Sequence, residues 1–277
     1  MIDKSLIKKC QMASKKIRID IIKMTYAVGN VGAHIGGALS MVEIMSALYL
    51  GVMKYDVNNP SWERRDRFIL SKGHGVMAQY AALKEAGFIG EEDLLTFKKN
   101  ETQLFAHPSI NIGMGVEFSS GSLGQGLSLG VGTALALKRK SNEKSKVFVL
   151  LGDGECDEGS VWEAAACSSH YKLSNLVAIV DKNNLQYDGP TEDVLSMESL
   201  EKKWADFGWN CLSVDGHCEE EILDALNTKC DLPLAIIANT IKGKGVSFME
   251  NDPTWHNNHL TKQQFCQAME EQGVQSV

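Results

Sequence analysis

The sequence predicts an α/β domain with a mostly parallel sheet flanked by helices, on the strength of two observations. The first is a set of short apolar runs whose near-continuous hydrophobicity is typical of strands buried on both faces of a sheet. The second is that helical patterns separate these runs, an alternation typical of β-α-β units. The runs cover residues 67–70, 147–151, 176–180, 211–214 and 234–238.

The first predicted element is a helix over residues 5–28. Apolar residues recur there at helical spacing, namely Leu6, Cys10, Ala13, Ile17, Ile21 and Met24. A glycine-broken segment follows over residues 29–37 and contains His34. A second helix is predicted to begin at Ser40, because Glu43 stands three residues further on, which is the spacing of a capping box.

The remaining helices lie between consecutive strands. Helical patterns cover residues 122–138, 159–171, 197–207 and 219–228. No internal repeat, low-complexity segment or interdomain linker is recognisable in the sequence. We therefore expect residues 1–277 to form a single domain.

Composition and charge narrow the class of protein. Hydrophobic residues make up 44% of the 277 residues and charged residues 23%, which is typical of a globular chain. A formal net charge of −7 argues against a dedicated nucleic-acid binder, which normally carries a basic patch. The 7 cysteines form no Cys-x-x-Cys pair, so we expect reduced thiols in the cytoplasm. Neither a secretory signal nor an apolar run of membrane-spanning length is expected.

Polar and glycine-rich residues directly follow three of the predicted strands. They are Ser-Lys-Gly-His-Gly at residues 71–75, Gly-Asp-Gly-Glu at 152–155 and Asp-Lys-Asn-Asn-Leu at 181–185. Ligands of open α/β sheets bind beyond the carboxyl ends of the strands. We therefore expect the three segments to converge on one edge of the sheet and to form a binding site there.

Asp153 and Asn183 are the candidate metal ligands at this edge. Each follows a predicted strand, and one helix-length crossover separates them, so their side chains are expected to be neighbours. A carboxylate and an amide oxygen are hard ligands suited to Mg²⁺ or Ca²⁺, and Mg²⁺ usually keeps phosphate or water oxygens in its other positions. Gly152 and Gly154 would allow a phosphate to approach the backbone closely. Either motif alone is more typical of a plain turn, but together they predict a magnesium–phosphate site.

These residues resemble a known motif. Gly152-Asp153-Gly154 followed by Asn183-Asn184 is similar to the thiamine diphosphate motif, and five further segments narrow the resemblance to the transketolase family. The segments are residues 29–40 with His34, Ser71-Lys72-Gly73-His74, His107-Pro108, Gly121-Ser122-Leu123-Gly124-Gln125-Gly126, and residues 241–251 running on to Trp255-His256. The resemblance covers almost the whole chain, in order.

The resemblance implies a cofactor, thiamine diphosphate with Mg²⁺, and a set of residues that hold it. The implied metal ligands are Asp153, Asn183 and the backbone carbonyl of Leu185. The implied cofactor contacts are His74, Gly121, Ser122, Leu123, Gly154, Asn183 and His256. Of these, Gly154, His74 and His256 correspond to diphosphate contacts, and residues 121–123 correspond to the loop that borders the cofactor.

The resemblance also implies catalytic roles. His34 and His107 correspond to histidines that face the hydroxyls of the sugar substrate, and His256 corresponds to a contact with both diphosphate and substrate. Glu158 corresponds to a buried glutamate at the subunit interface that couples paired active sites. By residue type alone, each histidine is more typical of a solvated loop position, and His170 and His217 are expected to be structural or superficial.

Two departures from the family pattern affect the site. The family usually has glycine after the histidine that follows Trp255, whereas here the run is His256-Asn257-Asn258-His259. We assign the contact to His256 because it directly follows the tryptophan, with His259 as the alternative. Ser122 stands where many transketolases carry proline, and a serine retains the backbone N–H that proline lacks.

A full transketolase resembles this chain over less than its first half and then carries pyrimidine-binding and C-terminal domains. About twenty residues follow Asn258, too few for either domain. The resemblance therefore implies the diphosphate-binding subunit of a split transketolase, paired with a second polypeptide that bears the pyrimidine domain, in an α2β2 assembly. The implied reaction transfers a two-carbon ketol unit between sugar phosphates, as in pentose phosphate metabolism.

Three alternatives remain open at this point. One is another thiamine diphosphate enzyme, such as a 2-oxo acid dehydrogenase subunit or a fragment of 1-deoxyxylulose-phosphate synthase. A second is a specialised transketolase for a sulfonated or branched sugar, given the altered run after Trp255. The third is a module that binds the cofactor without turnover, which the retained substrate-facing histidines disfavour.

Overall fold

Five parallel strands form one sheet at the centre of the computed structural model, which describes residues 2–142 and 144–274. The strands are β1 (Arg67–Leu70), β2 (Val147–Gly152), β3 (Leu176–Lys182), β4 (Asn210–Asp215) and β5 (Leu234–Asn239). Their spatial order is β1-β2-β3-β5-β4, and every neighbouring pair is parallel. The predicted α/β class with a mostly parallel sheet is confirmed.

Helices cover both faces of this sheet. The longer ones are α1 (Lys4–Val28), α4 (Val76–Ala86), α6 (Gln125–Arg139), α7 (Gly159–His170), α9 (Leu200–Asp206), α10 (Glu219–Leu226) and α11 (Lys262–Glu271). The short ones are α2 (Ile35–Leu39), α3 (Val42–Ser46), α5 (Glu91–Leu94) and α8 (Thr191–Val194). No helix within the described ranges combines the length and the apolar character needed to cross a membrane.

The core lies in two layers, one on each face of the sheet. Successive strand residues alternate between the layers, so that Leu150 packs on one side and Val149 and Leu151 on the other. The first layer includes apolar residues of α1, α3, α4 and α10, and the second includes those of α6, α7 and α9. Strands β1, β2, β3 and β5 are therefore buried on both faces, as their continuous apolar character predicts.

Strand β4 differs from this prediction. It pairs only with β5, at the edge of the sheet, and its residues are half-buried or exposed. Ser213 and Asp215, which are exposed, fall within it. The apolar run over residues 211–214 therefore marks an edge strand and not an interior one.

The second helix does not begin at Ser40. Helix α2 begins at Ile35 and α3 at Val42, with Ser40 in the turn between them. The hydroxyl of Ser40 donates a hydrogen bond of 2.5 Å to the carboxylate of Asp181, which is remote in the sequence. The predicted capping box with Glu43 is wrong, because the capping hydroxyl is used for a long-range contact.

Helix α6 also begins later than predicted. Its N-cap is Gly124, whose φ of +77° lies in the left-handed region and keeps residues 122–124 outside the helix. A side chain at this position would collide with Ser160 and Glu158, since an added Cβ would stand 2.5 Å and 2.7 Å from their nearest atoms. Glycine therefore allows the loop over residues 121–124 to lie directly against the start of α7.

Candidate active site

A cavity of about 250 Å³ opens at the carboxyl edge of the sheet, where the segments after β1, β2, β3 and β5 meet. Ligands of parallel α/β sheets bind at this edge. The cavity is lined by Gly37, Lys72, His74, Leu123, Gly152, Asp153, Gly154, Glu155, Asn183, Leu185, Gln186, Tyr187, Asp188, Lys242 and His256. Most of the residues predicted to bind metal or cofactor are therefore brought to one cavity, together with others that the sequence did not single out.

The strand register places Asp153 beside Asn183. Gly152 pairs with Asp181, so the residues that follow β2 and β3 emerge side by side. The amide of Asp153 donates to the carbonyl of Asp181 at 3.2 Å, and a carboxylate oxygen of Asp153 accepts from the amide of Asn184 at 2.5 Å. The predicted proximity of these turns is therefore observed.

The carboxylate of Asp153 is buried. Its hydrogen-bond donors are backbone amides, those of Gly154 at 2.9 Å and of Asn184. Burial, reinforced by the nearby carboxylate of Asp181, raises the pKa of Asp153 to about 6. A divalent cation at this point would reverse that penalty, because it favours the ionised carboxylate.

The donor set around Asp153 suits magnesium bound to a diphosphate. Asn183 and Leu185 lie on the same cavity wall, and they supply an amide and a backbone carbonyl. Across residues 2–142 and 144–274, no group of three or more His, Cys, Asp or Glu is arranged to hold a metal. A site with one carboxylate, one amide and one carbonyl leaves coordination positions for phosphate oxygens. Mg²⁺ in proteins is usually coordinated in this way.

Gly154 keeps the backbone accessible next to this donor set. A Cβ added there would stand 2.6 Å and 2.7 Å from side-chain carbons of Gln186. The side chain of Gln186 is held by a 2.6 Å hydrogen bond from its amide to Asp157. Glycine is therefore required by the packing, and it leaves a backbone cradle of the kind that phosphates occupy.

Four histidines form a cluster at the cavity, in which His74 and His256 line the cavity and His34 and His107 lie beside them without lining it. The ring of His34 lies 5.6 Å from His74, 5.7 Å from His107 and 5.4 Å from His256, measured between ring centroids. The rings of His74 and His256 are 5.2 Å apart. The three histidines predicted to face substrate and the one predicted to contact only diphosphate thus form a single cluster.

Burial favours the neutral form of these imidazoles. It lowers the pKa of His34 to about 4 and that of His256 to about 3, and nearby cationic side chains add to the effect. The pKa of His74 lies well below its ordinary value, and that of His107 is also lowered, for the same first reason. A neutral imidazole can donate at one nitrogen and accept at the other, which suits it to orienting hydroxyl groups.

The backbone ties His34 to His256. Ala33 and Asn258 form an antiparallel bridge, with hydrogen bonds of 2.9 Å and 3.1 Å between their amides and carbonyls. Trp255 is buried beside this bridge. His256 lines the cavity and His259 does not, so the geometry favours the first of the two histidines that the sequence left in competition.

The loop over residues 121–123 borders the cavity from the other side. Leu123 lines it, whereas Gly121 and Ser122 are exposed. An added Cβ at Gly121 would stand 3.7 Å from the ring of His107, so the loop lies next to the histidine cluster. The three residues predicted to border the cofactor are therefore adjacent to the cavity, with only one forming its wall.

Glu158 is exposed on this chain, at the N-cap of α7. Glu155, like Asp153, is a buried carboxylate of this stretch, and it accepts hydrogen bonds from the hydroxyl of Ser71 and from the amides of Gly124 at 2.8 Å and Gly152 at 3.1 Å. Glu158 is therefore not buried by the described residues of this chain, and its place at a subunit interface stays a prediction.

Lys72 and Asp181 form a buried ion pair that sequence analysis missed. The ammonium of Lys72 contacts the carboxylate of Asp181 and donates to the carbonyl of Gly37 at 2.9 Å. Burial by itself raises the pKa of Asp181, but Lys72 and hydrogen bonds from the hydroxyls of Ser40 and Thr240 hold it below its ordinary value. Lys72 follows β1 and Asp181 lies near the end of β3, and only the pairing of strands across the sheet shows that they meet.

Lys242 is a second buried lysine that the sequence did not single out. Its ammonium donates to the carbonyls of Leu185 at 2.9 Å and Gln186 at 3.2 Å, and lies 3.0 Å from Nδ1 of His256. Burial, together with the charge of Lys72, lowers its pKa to about 8. Lys242 thus joins the segment after β3, which carries the candidate metal ligands, to the histidine cluster.

Comparison with known protein families identifies the family of this chain. Residues 9–276 match the family described as transketolase, thiamine diphosphate binding domain. The chain belongs to the transketolase family. The resemblance drawn from the motifs is confirmed, and the domain that matches is one that binds thiamine diphosphate.

Individual transketolases match at two different lengths. The chain is 41% identical over 271 residues to one subunit of the apulose-4-phosphate transketolase of Phocaeicola vulgatus, covering 96% of this chain and 94% of that protein. It is 42% identical over 248 residues to the 6-deoxy-6-sulfo-D-fructose transketolase subunit SqwG of Clostridium sp., covering 88% and 90%. Human transketolase is 38% identical over 269 residues, but the match covers 97% of this chain and 43% of that protein.

Solved transketolase structures share the fold. The structure from Campylobacter jejuni superposes with a TM-score of 0.87 at 29% identity and covers 99% of this chain but 44% of its own. The structure from Leishmania mexicana gives a TM-score of 0.87 at 28% identity, with coverage of 96% and 41%. The chain therefore corresponds to less than half of these transketolases.

Proposed function

We propose that this chain is the thiamine diphosphate-binding subunit of a split transketolase, which transfers a two-carbon ketol unit from a ketose to an aldose together with a partner subunit. One observation carries the proposal. The chain matches two proteins that are named as transketolase subunits over 94% and 90% of their lengths, yet it matches only 43% of human transketolase.

The proposal assigns the chain a single domain over residues 1–277 and assigns the pyrimidine-binding domain to the partner. Exposure of Glu158 and of the loop at Gly121 and Ser122 supports this division, because these positions leave polar surface beside the cavity. We assign Glu158 to an interface between subunits, where it would couple paired sites, and we propose an α2β2 stoichiometry.

The described residues fit magnesium and thiamine diphosphate. Asp153, Asn183 and the carbonyl of Leu185 would hold Mg²⁺, and the residues that would contact the cofactor are His74, Gly121, Ser122, Leu123, Gly154, Asn183 and His256. The fit rests on the buried carboxylate of Asp153 and on the cradle at Gly154. When bound, thiamine diphosphate supplies the nucleophilic carbon and the electron sink that cleavage of a ketose requires.

His34, His107 and His256 would orient the substrate and move its protons. Burial lowers the pKa values of all three and so favours the neutral imidazole, which offers one donor and one acceptor. A sugar chain presents hydroxyl groups that need both. The cluster is therefore suited to hold a polyol and to pass protons between a hydroxyl and a carbonyl oxygen.

The substrate is proposed to be a specialised sugar, and the pentose phosphate expectation is accordingly replaced. Two of the relatives matched at nearly full length are named for apulose-4-phosphate and for 6-deoxy-6-sulfo-D-fructose. The segment of residues 256–259, which departs from the usual family pattern, lies at the cavity through His256. We therefore propose a branched or sulfonated ketose, with an anionic group at the end away from the reacting carbonyl.

The test is a donor panel with the reconstituted enzyme. The chain is co-expressed with a pyrimidine-domain protein and supplied with Mg²⁺, thiamine diphosphate and an aldose acceptor. The donors are apulose-4-phosphate, 6-deoxy-6-sulfo-D-fructose, xylulose-5-phosphate and pyruvate. Ketol transfer from one of the first two, with kcat/KM at least tenfold above the third, is the expected result.

Three outcomes would contradict the proposal. Turnover by the chain alone would exclude a split enzyme, and preference for pyruvate would favour a 2-oxo acid enzyme. Binding of cofactor without turnover of any donor would favour a non-catalytic module. Asp153→Asn serves as the inactive variant, and Asp193→Asn, which changes an exposed carboxylate on α8, is its matched control.

A further inference from the structure

His217 links the end of β4 to the segment that follows β5. Its Nε2 lies 2.8 Å from the backbone amide of Ile241, and its Nδ1 lies 2.9 Å from a carboxylate oxygen of Glu43. The side chain of His217 is 14% exposed and that of Glu43 is 8% exposed, so both bonds are shielded from water. The sequence predicts a structural or superficial histidine, and the burial and two hydrogen bonds of His217 agree with a structural one.

The partners of His217 determine its protonation. A backbone amide can only donate, so Nε2 must accept and carries no proton. Nδ1 therefore carries the proton of the neutral ring and donates it to Glu43. The other oxygen of Glu43 is held by the guanidinium of Arg18, which fixes the carboxylate that orients the imidazole.

The segment held by His217 carries Lys242. Ile241 is the residue directly before Lys242, and its amide is the atom that His217 fixes. The same Arg18 that binds Glu43 also donates through Nε to the carbonyl of Lys244 at 3.1 Å. The turn over residues 241–244 is thus held at both ends by one network of three side chains from α1, α3 and the loop after β4.

Lys242 connects the turn over residues 241–244 to the cavity. Its ammonium donates to the carbonyls of Leu185 and Gln186 and lies against Nδ1 of His256. A shift of the backbone at Ile241 would move the origin of the Lys242 side chain, and with it the contacts of His256. The route from His217 to the cavity therefore consists of two hydrogen-bonded steps.

We propose that His217 is a positioning residue of the active site, which acts through the Ile241 amide and Lys242 to fix the Leu185–Gln186 carbonyls and His256. His217 itself does not line the cavity. The kinetic part of this inference rests on the proposed function, whereas the tautomer and the cofactor-binding part do not.

The first test is spectroscopic and uses the full chain with its partner subunit. Nitrogen NMR of the histidine side chains should show His217 with a protonated Nδ1 and an unprotonated Nε2. The amide of Ile241 should exchange slowly with solvent in the wild type and much faster in His217→Ala. A protonated Nε2 on His217, or unchanged exchange at Ile241, would overturn the inference.

The second test separates positioning from simple stabilisation. We expect His217→Ala to weaken binding of thiamine diphosphate with Mg²⁺ about tenfold, the effect of losing one hydrogen bond that orders a site. His217→Gln should restore most of the affinity, because its amide supplies an acceptor for Ile241 and a donor for Glu43. His170→Ala, which removes an exposed histidine at the end of α7, is the matched control and should bind as the wild type does.

The outcomes are distinguishable from those of the proposed function. If His217→Ala melts earlier yet binds cofactor as tightly as the wild type, the residue is only structural and the inference fails. If the wild-type complex binds cofactor but turns over no ketose, the proposed function fails, and the binding ratios of the variants still decide the role of His217. Where turnover is present, kcat/KM should follow the same order as affinity.

Discussion

Two regions at the cavity are built differently. On the side of the strand ends, Lys72 and Asp181 are 2% and 0% exposed, and each makes several hydrogen bonds within the chain. Near the cavity, the residues Gly121 and Ser122 of the loop that contains Leu123, and Glu158 next to that loop, are exposed. We call the first the strand-end wall and the second the open rim. The polar side chains of the strand-end wall find their partners within this chain, whereas the residues of the open rim remain accessible to a partner.

The largest expected change in the free energy of unfolding comes from a substitution in the strand-end wall. Lys72→Met leaves the carboxylate of Asp181 buried without its cation, and loss of one partner of a buried pair costs about 3–5 kcal/mol of unfolding free energy. Chemical denaturation of the chain measures this loss. Lys182→Met, which removes a half-exposed pair with Glu201, is the control and should cost less than about 1 kcal/mol.

A double substitution sharpens this prediction. Lys72→Met combined with Asp181→Asn removes both charges, so no buried charge is left without a partner. We expect the double variant to be more stable than Lys72→Met alone. A double variant that is less stable by the sum of both single losses would show that the charge pairing is unimportant.

The next effect concerns ligand binding at the same wall. Asp153→Asn should weaken Mg²⁺-dependent binding of thiamine diphosphate by about a hundredfold or more, because the carboxylate is the only charged member of its proposed ligand set. Calorimetric titration of the complex with partner measures the affinity. Unchanged affinity would refute the metal assignment.

The same substitution should not destabilise the metal-free chain. Burial raises the pKa of Asp153 to about 6, so its ionised form is unfavourable in the folded state. The contribution of Asp153 to the free energy of unfolding therefore falls as pH rises from about 4 to about 6. Asparagine does not ionise, so the variant does not lose unfolding free energy in this way. A metal-free Asp153→Asn chain that unfolds more readily than the wild type at pH 7 would contradict this account.

A smaller effect with a defined pH dependence is expected at Glu43. Burial alone would raise its pKa, but His217 and Arg18 hold it below the ordinary value of 4.5. The carboxylate therefore stabilises the fold above the unfolded-state pKa, and this stabilisation is lost as pH falls through the lower folded-state pKa. Glu43→Gln should cost about 1–3 kcal/mol at pH 7 and converge with the wild type in acid.

Unfolding free energies of both chains, measured between pH 3 and pH 7, test this prediction. Constant separation of the two curves across that range would show that the charge on Glu43 is not what stabilises the fold. Ser46, whose hydroxyl donates to the backbone carbonyl of Cys10 at 2.7 Å, provides a neutral comparison through Ser46→Ala, for which a smaller and flatter difference is expected.

The strand-end wall also shows how far the sequence alone reaches. Apolar runs locate all five strands, and for β1, β2, β3 and β5 the reason is that burial on both faces requires continuous hydrophobicity. The turns at Asp153 and Asn183 follow directly from where two strands end. The local pattern misplaces the start of the second helix because Ser40 donates to Asp181, a contact that no local pattern contains. The pairing of Lys72 with Asp181 is invisible in the sequence for the same reason.

The site residues follow the same division. His34, His74 and His256 could be named because their motifs resemble a family, whereas Lys242 and His217 act through contacts with residues far along the chain. Their partners become visible only once β4 and β5 lie side by side at the sheet edge. A motif therefore identifies individual site residues, but the hydrogen bonds that position them depend on the order of the strands.

The smallest effect on the chain itself is expected at the open rim. Glu158→Gln replaces an exposed carboxylate that makes no ion pair among the described residues, so the unfolding free energy of the isolated chain should change by less than about 0.5 kcal/mol. If the rim faces another subunit as proposed, the same substitution should change assembly with the partner or the coupling between paired sites. Analytical ultracentrifugation and cofactor titration of the complex measure these two quantities. If the variant assembles and binds cofactor as the wild type does, Glu158 is not part of the interface. If the isolated variant loses much of its unfolding free energy, Glu158 stabilises this chain and the proposed difference between the strand-end wall and the open rim is wrong.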